Sequence, residues 1–147
     1  MAYYPCTKFQ LPLLIFFVNL VIMTNASVFN PAINEIFINN ISRSTPPLNV
    51  HCLSRDDDLG VHTLEPGDKY DFSFHENFLS TTHFYCKLKW GRNSSIFDVY
   101  YKKQSLCYYK FFKVTDLYCT WSVQDYAIYL ALVKNPSPSD FKFAYTW

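Results

Sequence analysis

The strongest constraint on this chain is a period-two alternation of bulky residues, repeated along its length and broken each time by turn formers. Phe84, Cys86, Leu88 and Trp90 alternate with His83, Tyr85, Lys87 and Lys89. Successive side chains on a strand point to opposite faces, so such a run lays one apolar row on a core and one polar row in water. The same rhythm sets Leu48, Val50 and Cys52 against Asn49, His51 and Leu53, and Tyr70, Phe72 and Phe74 against Asp71, Ser73 and His75. It recurs in Phe97, Val99 and Tyr101, in Cys119, Trp121 and Val123, and in Ile128, Leu130 and Leu132. A first strand carries Ile36 and Ile38 on one face, Phe37 and Ile41 on the other. Thr45-Pro46-Pro47, Asp56 to Gly60, Glu65 to Asp68, Gly91 to Ser95 and Asn135 to Ser139 are rich in residues that suit turns. About seven or eight short strands spaced by turns predict an all-β chain, a two-sheet antiparallel β-sandwich.

The first residues have a different character. Leu11 to Met23 is mostly apolar, Lys8 precedes it, and Thr24-Asn25-Ala26 offers short side chains at a cleavage position. This layout predicts a secretory signal peptide over residues 1–26 and a single mature domain over residues 27–147. The apolar run falls short of the roughly 20 residues that span a bilayer. Removing it takes away Lys8 and Cys6 and leaves a mature charge near zero. A nucleic-acid binder usually carries a clear basic excess, so that class is excluded. Lys87, Lys89, Lys102, Lys103, Lys110 and Lys113 do cluster in sequence and read as a solvated sheet surface.

The cysteines left in the mature chain are Cys52, Cys86, Cys107 and Cys119. An even count in a small secreted domain predicts two disulfides, and no Cys-x-x-Cys spacing suggests zinc or redox chemistry. Three connectivities are open. The preferred one joins Cys52 to Cys119 and Cys86 to Cys107, because Cys86 and Cys107 lie on neighbouring segments linked by a turn near Asn93. Asn40-Ile-Ser and Asn93-Ser-Ser are glycosylation sequons.

Asp56, Asp57 and Asp58 form the sharpest polar cluster. Adjacent carboxylates suit calcium, yet the glycine and glutamate of an EF-hand loop are misplaced, and a turn capped by its own side chains is the simpler reading. His51, His62, His75 and His83 raise acid–base catalysis, which needs two groups within reach of one reacting centre. His51 and His83 fall on outward strand positions and His62 and His75 near loops, outside any catalytic motif. Three glycines leave little for a phosphate-cradling loop, and no nucleophile elbow is present. Trp90 and Trp121, in phase with Cys86 and Cys119, read as core. Neither an enzyme nor a cofactor or metal site is expected.

Several of these segments together resemble the plant self-incompatibility S-protein family. They are Ile36-Phe-Ile-Asn39-Asn40, His51-Cys52, the acidic turn Asp56-Asp-Asp-Leu-Gly60, Phe72-Ser-Phe74, Phe84-Tyr-Cys86 with Trp90, Phe97-Asp-Val-Tyr100, Cys107, and Cys119-Thr-Trp121 with Val123. The chain departs from the family pattern at Tyr126, where glycine often follows the aspartate, and at His83, where leucine is frequent. The resemblance implies a small secreted non-enzymatic ligand, recognised by a receptor in the pollen membrane during rejection of self pollen. It touches the membrane only through that receptor. A secreted signal in defence or development, a membrane-active toxin and an unrecognised hydrolase are the alternatives. Loops on a rigid scaffold are the expected partner surface: Arg55, Asp56, Asp57 and Asp58, then Arg92 and Asn93 with the rest of that turn to Ser95, then Asn135 to Asp140.

Overall fold

The computed structural model describes residues 12, 14–19, 31–42, 46–108 and 115–147. Most of the expected leader, its cleavage site at Ala26, Thr45, Lys110 and Lys113 lie outside the described residues. No helix among the described residues is long and apolar enough to cross a membrane.

Among the described residues nine strands form two packed sheets: β1 (Ala32–Asn39), β2 (Leu48–Ser54), β3 (Asp58–Leu64), β4 (Lys69–His75), β5 (His83–Trp90), β6 (Asn93–Tyr101), β7 (Leu117–Val123), β8 (Ala127–Ala131) and β9 (Lys142–Thr146). The first sheet has the order β4-β1-β7-β8-β9 and the second β3-β2-β5-β6. The expected sandwich is therefore present. Its pairs are antiparallel except β1 with β7, which run parallel with Ile33 opposite Leu117 and Asn39 opposite Val123. His62, expected near a loop, lies within a strand, β3, at one edge of the second sheet.

The core is built by the alternation. Phe37, Leu48, Val50, Leu88, Val99, Trp121, Val123 and Ile128 are fully or almost fully buried between the sheets. Aromatic rings knit the two layers: Phe97 lies 5.0 Å from Trp121 and 4.4 Å from Tyr145, and Phe74 lies 4.4 Å from Phe84. Such offset ring pairs add to what burial alone supplies. Trp90 is half-buried against Trp147, so only Trp121 is the deep tryptophan that the phase predicts.

Two expectations need correction. First, the disulfides are Cys52–Cys86 and Cys107–Cys119. β5 has a ladder partner on each side, and the one carrying a cysteine is β2, with Cys52 directly opposite Cys86. On β6 the residue facing Cys86 is Phe97, and Cys107 lies beyond the end of that strand. Second, the phase of β6 breaks at a bulge, where Phe84 faces Tyr100 but Tyr85 faces Asp98. The extra residue turns Tyr100 inward instead of Tyr101. The face of β1 that carries Phe37 and Ile41 is the inward one, as the alternation set them, and Ile33, Glu35 and Asn39 join it, so the row includes an acid and an amide.

The strand directions sort the loops into two ends. The β3–β4 turn, the Gly91-Arg92 hairpin, the Gln124–Tyr126 turn and Trp147 share one end. The β2–β3 turn, the β4–β5 loop and residues 102–108 share the other. The turn where Tyr126 replaces glycine closes without positive φ at Tyr126, through a bond from Gln124 N–H to the Ala127 carbonyl of 3.0 Å.

Candidate recognition surface

The acidic turn is held by its own side chains. Ser54 Oγ accepts the N–H groups of Asp57 at 2.9 Å and Asp56 at 3.2 Å, while Asp58 Oδ1 accepts Gly60 N–H at 2.9 Å. Asp58 Oδ1 also lies 2.6 Å from His51 Nε2. The Gly60 N–H first, and then His51, hold the Asp58 carboxyl below its ordinary range. Gly60 sits at φ +77°, where glycine bears no steric penalty. Asp58 thus does what a capping side chain does. Among the described residues the one convergent group of acids, histidines and cysteines is Glu35, Cys107 and Cys119, whose cysteines are bonded to each other. The three aspartates do not converge as a calcium site needs.

Arg92 lies in the two-residue β5–β6 hairpin, with Gly91 at φ +59° and Trp90 facing Asn93 across the closing pair. A positive φ at the first central position matches the turn that the twist of a hairpin favours. Asn93 is exposed and begins β6. The Arg55–Asp58 turn and the Arg92–Asn93 hairpin therefore stand at opposite ends of the second sheet, and no single small contact joins them. The third loop, between β8 and β9, folds back over the outer face of the first sheet. Thr120 Oγ1 donates to the Val133 carbonyl at 2.8 Å, which explains why this outward residue is buried. Ser137 and Asp140 close a short capping box, in which Ser137 N–H and Oγ each reach Asp140 Oδ2 at 2.7 Å. Asn135 and Pro136 line a shallow cleft of about 430 Å³ with Ile36, Ile38 and Lys69.

Asn40 is exposed, but its Nδ2 donates to Ser122 Oγ at 2.8 Å, and the sequon hydroxyl of Ser42 donates to Asp125 at 2.6 Å. The histidines are scattered. His51 meets Asp58, and His83 meets Asp98 at 2.7 Å. Across the β2–β5 ladder His51 faces Lys87, four positions along β5 from His83, or roughly 13 Å at ~3.3 Å per residue. His62 stacks on Tyr70 at 3.7 Å, and His75 ends β4 in the other sheet. Lys87 and Lys89 are exposed on the outer face of β5, whereas Lys102 and Lys103 belong to the turn after β6.

Two features escape the sequence. Glu35 is completely buried, and its Oε2 accepts Trp121 Nε1–H at 2.6 Å. Desolvation pushes its carboxyl well above the ordinary range, against the lowering effect of that bond. Its Oε1 has no hydrogen-bond partner among the described residues. The second is the β4–β5 loop, which presents Phe78 and Leu79 to solvent. An apolar pair inside the polar run Glu76-Asn77-Phe78-Leu79-Ser80-Thr81-Thr82 was the available signal.

A nine-stranded sandwich with this order of motifs can be compared with known proteins. The family described as plant self-incompatibility protein S1 matches residues 35–147. The chain belongs to that family. It is 32% identical over 111 residues to "Self-incompatibility protein S1" of Papaver rhoeas, covering 73% of each chain. It is 40% identical over 74 residues to "S-protein homolog 2" of Arabidopsis thaliana, covering 50% of this chain and 46% of that protein. The chain thus spans about half the length of that relative, and likewise 50% of "S-protein homolog 5". A solved structure described as of SPH (Self-Incompatibility Protein Homologue) proteins, "a widespread family of small, highly stable, secreted proteins from plants", shares the fold. Its TM-score is 0.54 at 19% identity, over 78% of this chain and 96% of that one.

Proposed function

We propose that this S-protein homologue is a non-enzymatic protein ligand in self-incompatibility, read by a receptor in the pollen membrane. The observation that carries the reading is the match to the Papaver rhoeas self-incompatibility protein over 73% of both chains. As a member of this secreted family the chain is extracellular. A leader over residues 1–26 and glycans at Asn40 and Asn93 belong to the same reading. Two disulfides and an aromatic core make a rigid frame, and partner recognition is commonly carried by loops on such frames. The separation of His51 from His83 and the engagement of their rings by aspartates favour binding over acid–base chemistry. No cofactor is called for.

The test is a pollen assay. The mature, oxidised protein is applied to pollen tubes of several genotypes and growth is scored. Arrest of some genotypes and not others is expected; equal arrest of all would point to general toxicity and overturn the reading. The Arabidopsis thaliana relatives carry names that specify no role, which favours a second reading as a secreted signal in defence or development. Correctly folded protein that arrests no genotype would favour that second reading.

A further inference from the structure

The β4–β5 loop is built to hold an apolar pair in water. Phe78 is 100% exposed and Leu79 76% exposed, the one adjacent pair of such exposed large apolar side chains among the described residues of the strand domain, Tyr126 at 89% standing alone at the opposite end. A loose loop would let such residues collapse onto the nearby core, but this one is fixed from all sides by one asparagine. Asn77 Oδ1 accepts Thr81 N–H at 2.7 Å, and Asn77 Nδ2 donates to Thr81 Oγ1 at 2.7 Å. The Asn77 carbonyl accepts Ser80 N–H at 2.8 Å, and Asn77 N–H donates to Thr82 Oγ1 at 2.8 Å. Ser80 adopts φ +53°, a left-handed conformation that a serine rarely adopts without such restraint. The turn therefore keeps its shape before any partner arrives, and ordering it costs nothing further on binding.

The surroundings bear on the kind of partner. Pairing of Ser54 with Phe84 brings the β2–β3 turn beside the start of β5, so the Arg55–Asp57 turn neighbours this loop. Pairing of His83 with Tyr101 brings residues 102–108 to its other side, where Leu106 is also exposed. Among the described side chains the segments beside this loop carry Asp56, Asp57, Asp58 and Glu76 against Arg55 and Lys102, while Asp116, Asp140, Lys134 and Lys142 balance one another farther along the same end. Acids around an apolar tip repel the anionic surface of a membrane and suit a protein pocket with a basic rim.

We infer that Phe78 and Leu79 form a preorganised anchor that inserts into an apolar, basic-rimmed pocket of a protein receptor, with the Arg55–Asp57 turn reading the rim. This rests on the ligand reading above and names the contact within it. An aromatic side chain at the centre of a desolvated contact is the usual carrier of binding energy.

The experiment uses fluorescent mature protein and plant protoplasts, with and without surface proteolysis, together with phosphatidylcholine–phosphatidylserine vesicles. Three proteins are compared: wild type, the double variant Phe78→Ser with Leu79→Ser, and Ile96→Ser. Ile96 is 66% exposed on the outer face of β6 and serves as the matched apolar control. The wild type is expected to bind saturably to intact protoplasts only, the double variant at least about tenfold more weakly, and Ile96→Ser as the wild type does. The melting temperature of the double variant should match that of the wild type, because neither side chain is buried; a lowered one would overturn the picture of a free-standing tip. Undiminished binding by the double variant overturns the anchor and leaves the ligand reading intact. Binding that survives proteolysis and appears on the vesicles replaces the protein pocket with a lipid surface. Absence of any saturable binding by the wild type overturns the receptor reading, and the anchor with it.

Discussion

At the residue scale the most consequential side chain is Glu35, an acid set between the sheets with one oxygen on Trp121 and the other without a partner among the described residues. Burial favours the protonated carboxyl, so the folded chain holds this proton to a higher pH than the unfolded chain. The stabilising contribution is complete below the unfolded glutamate value of about 4.3 and drains away as pH rises towards the raised folded value. Wild-type stability should therefore fall with rising pH across that window, by up to about 1.4 kcal/mol per pH unit from this group. Glu35→Gln cannot ionise, and urea midpoints from pH 5 to pH 8 should show the wild type losing stability relative to the variant as pH rises. Parallel curves would mean that Glu35 is already charged in the fold. Trp121→Phe removes the donor and leaves a void; urea unfolding should register a loss of roughly 2–4 kcal/mol. Trp121 was legible as core from its phase with Cys119. Glu35 was not, because β1 begins at Ala32 and the strand pattern is visible only from Ile36 onwards. Alternation identifies a face, and an acid on the buried face reads as an interruption of the pattern.

At the scale of elements the disulfides carry the clearest consequence. Cys52–Cys86 closes a sequence separation of 34 and Cys107–Cys119 one of 12. Loop-closure entropy assigns about 4 kcal/mol to the longer and about 3 kcal/mol to the shorter. The paired change Cys52→Ala with Cys86→Ala should therefore destabilise more than Cys107→Ala with Cys119→Ala, as read by denaturant unfolding of each. Equal losses would argue that the bridges act mainly on the folded state. The β5–β6 hairpin offers a second test. A Cβ at Gly91 meets the Pro46 ring at 3.4 Å and requires the left-handed φ of +59°. Gly91→Ala should cost about 1–2 kcal/mol in thermal or urea unfolding, with little change expected from Arg92→Ala. The hairpin, the capped acidic turn and most strands were legible because each rests on neighbours in sequence. The cysteine pairing was not, since it depends on which strand lies on the far side of β5. The bulge that turns Tyr100 inward was hidden for a related reason: it shifts phase without leaving a glycine to mark it.

At the scale of the whole molecule the sandwich separates its loops. Strands of seven to nine residues put roughly 25–30 Å between the acidic turn and the Arg92 hairpin. A receptor that grips one end leaves the other free. Moving the Arg55–Asp58 turn together with the Glu76–Thr82 loop onto a non-binding homologue should transfer cell binding, and moving the Arg92–Asn93 hairpin alone should not; the reverse result would relocate the contact to the other end. Sequence reasoning found both of its leading loops because turn chemistry is local, but their placement at opposite poles follows only from sheet order. The parallel pairing of β1 with β7 has a different reach. Glu35 and Trp121, bonded across it, lie 86 residues apart in sequence. During synthesis β1 can pair early with β4, but its other edge stays open until residues 117–123 have left the ribosome. Contacts of such long range also slow folding. The first sheet is thus completed late in synthesis, and the open edge of β1 is exposed to misassembly in that interval.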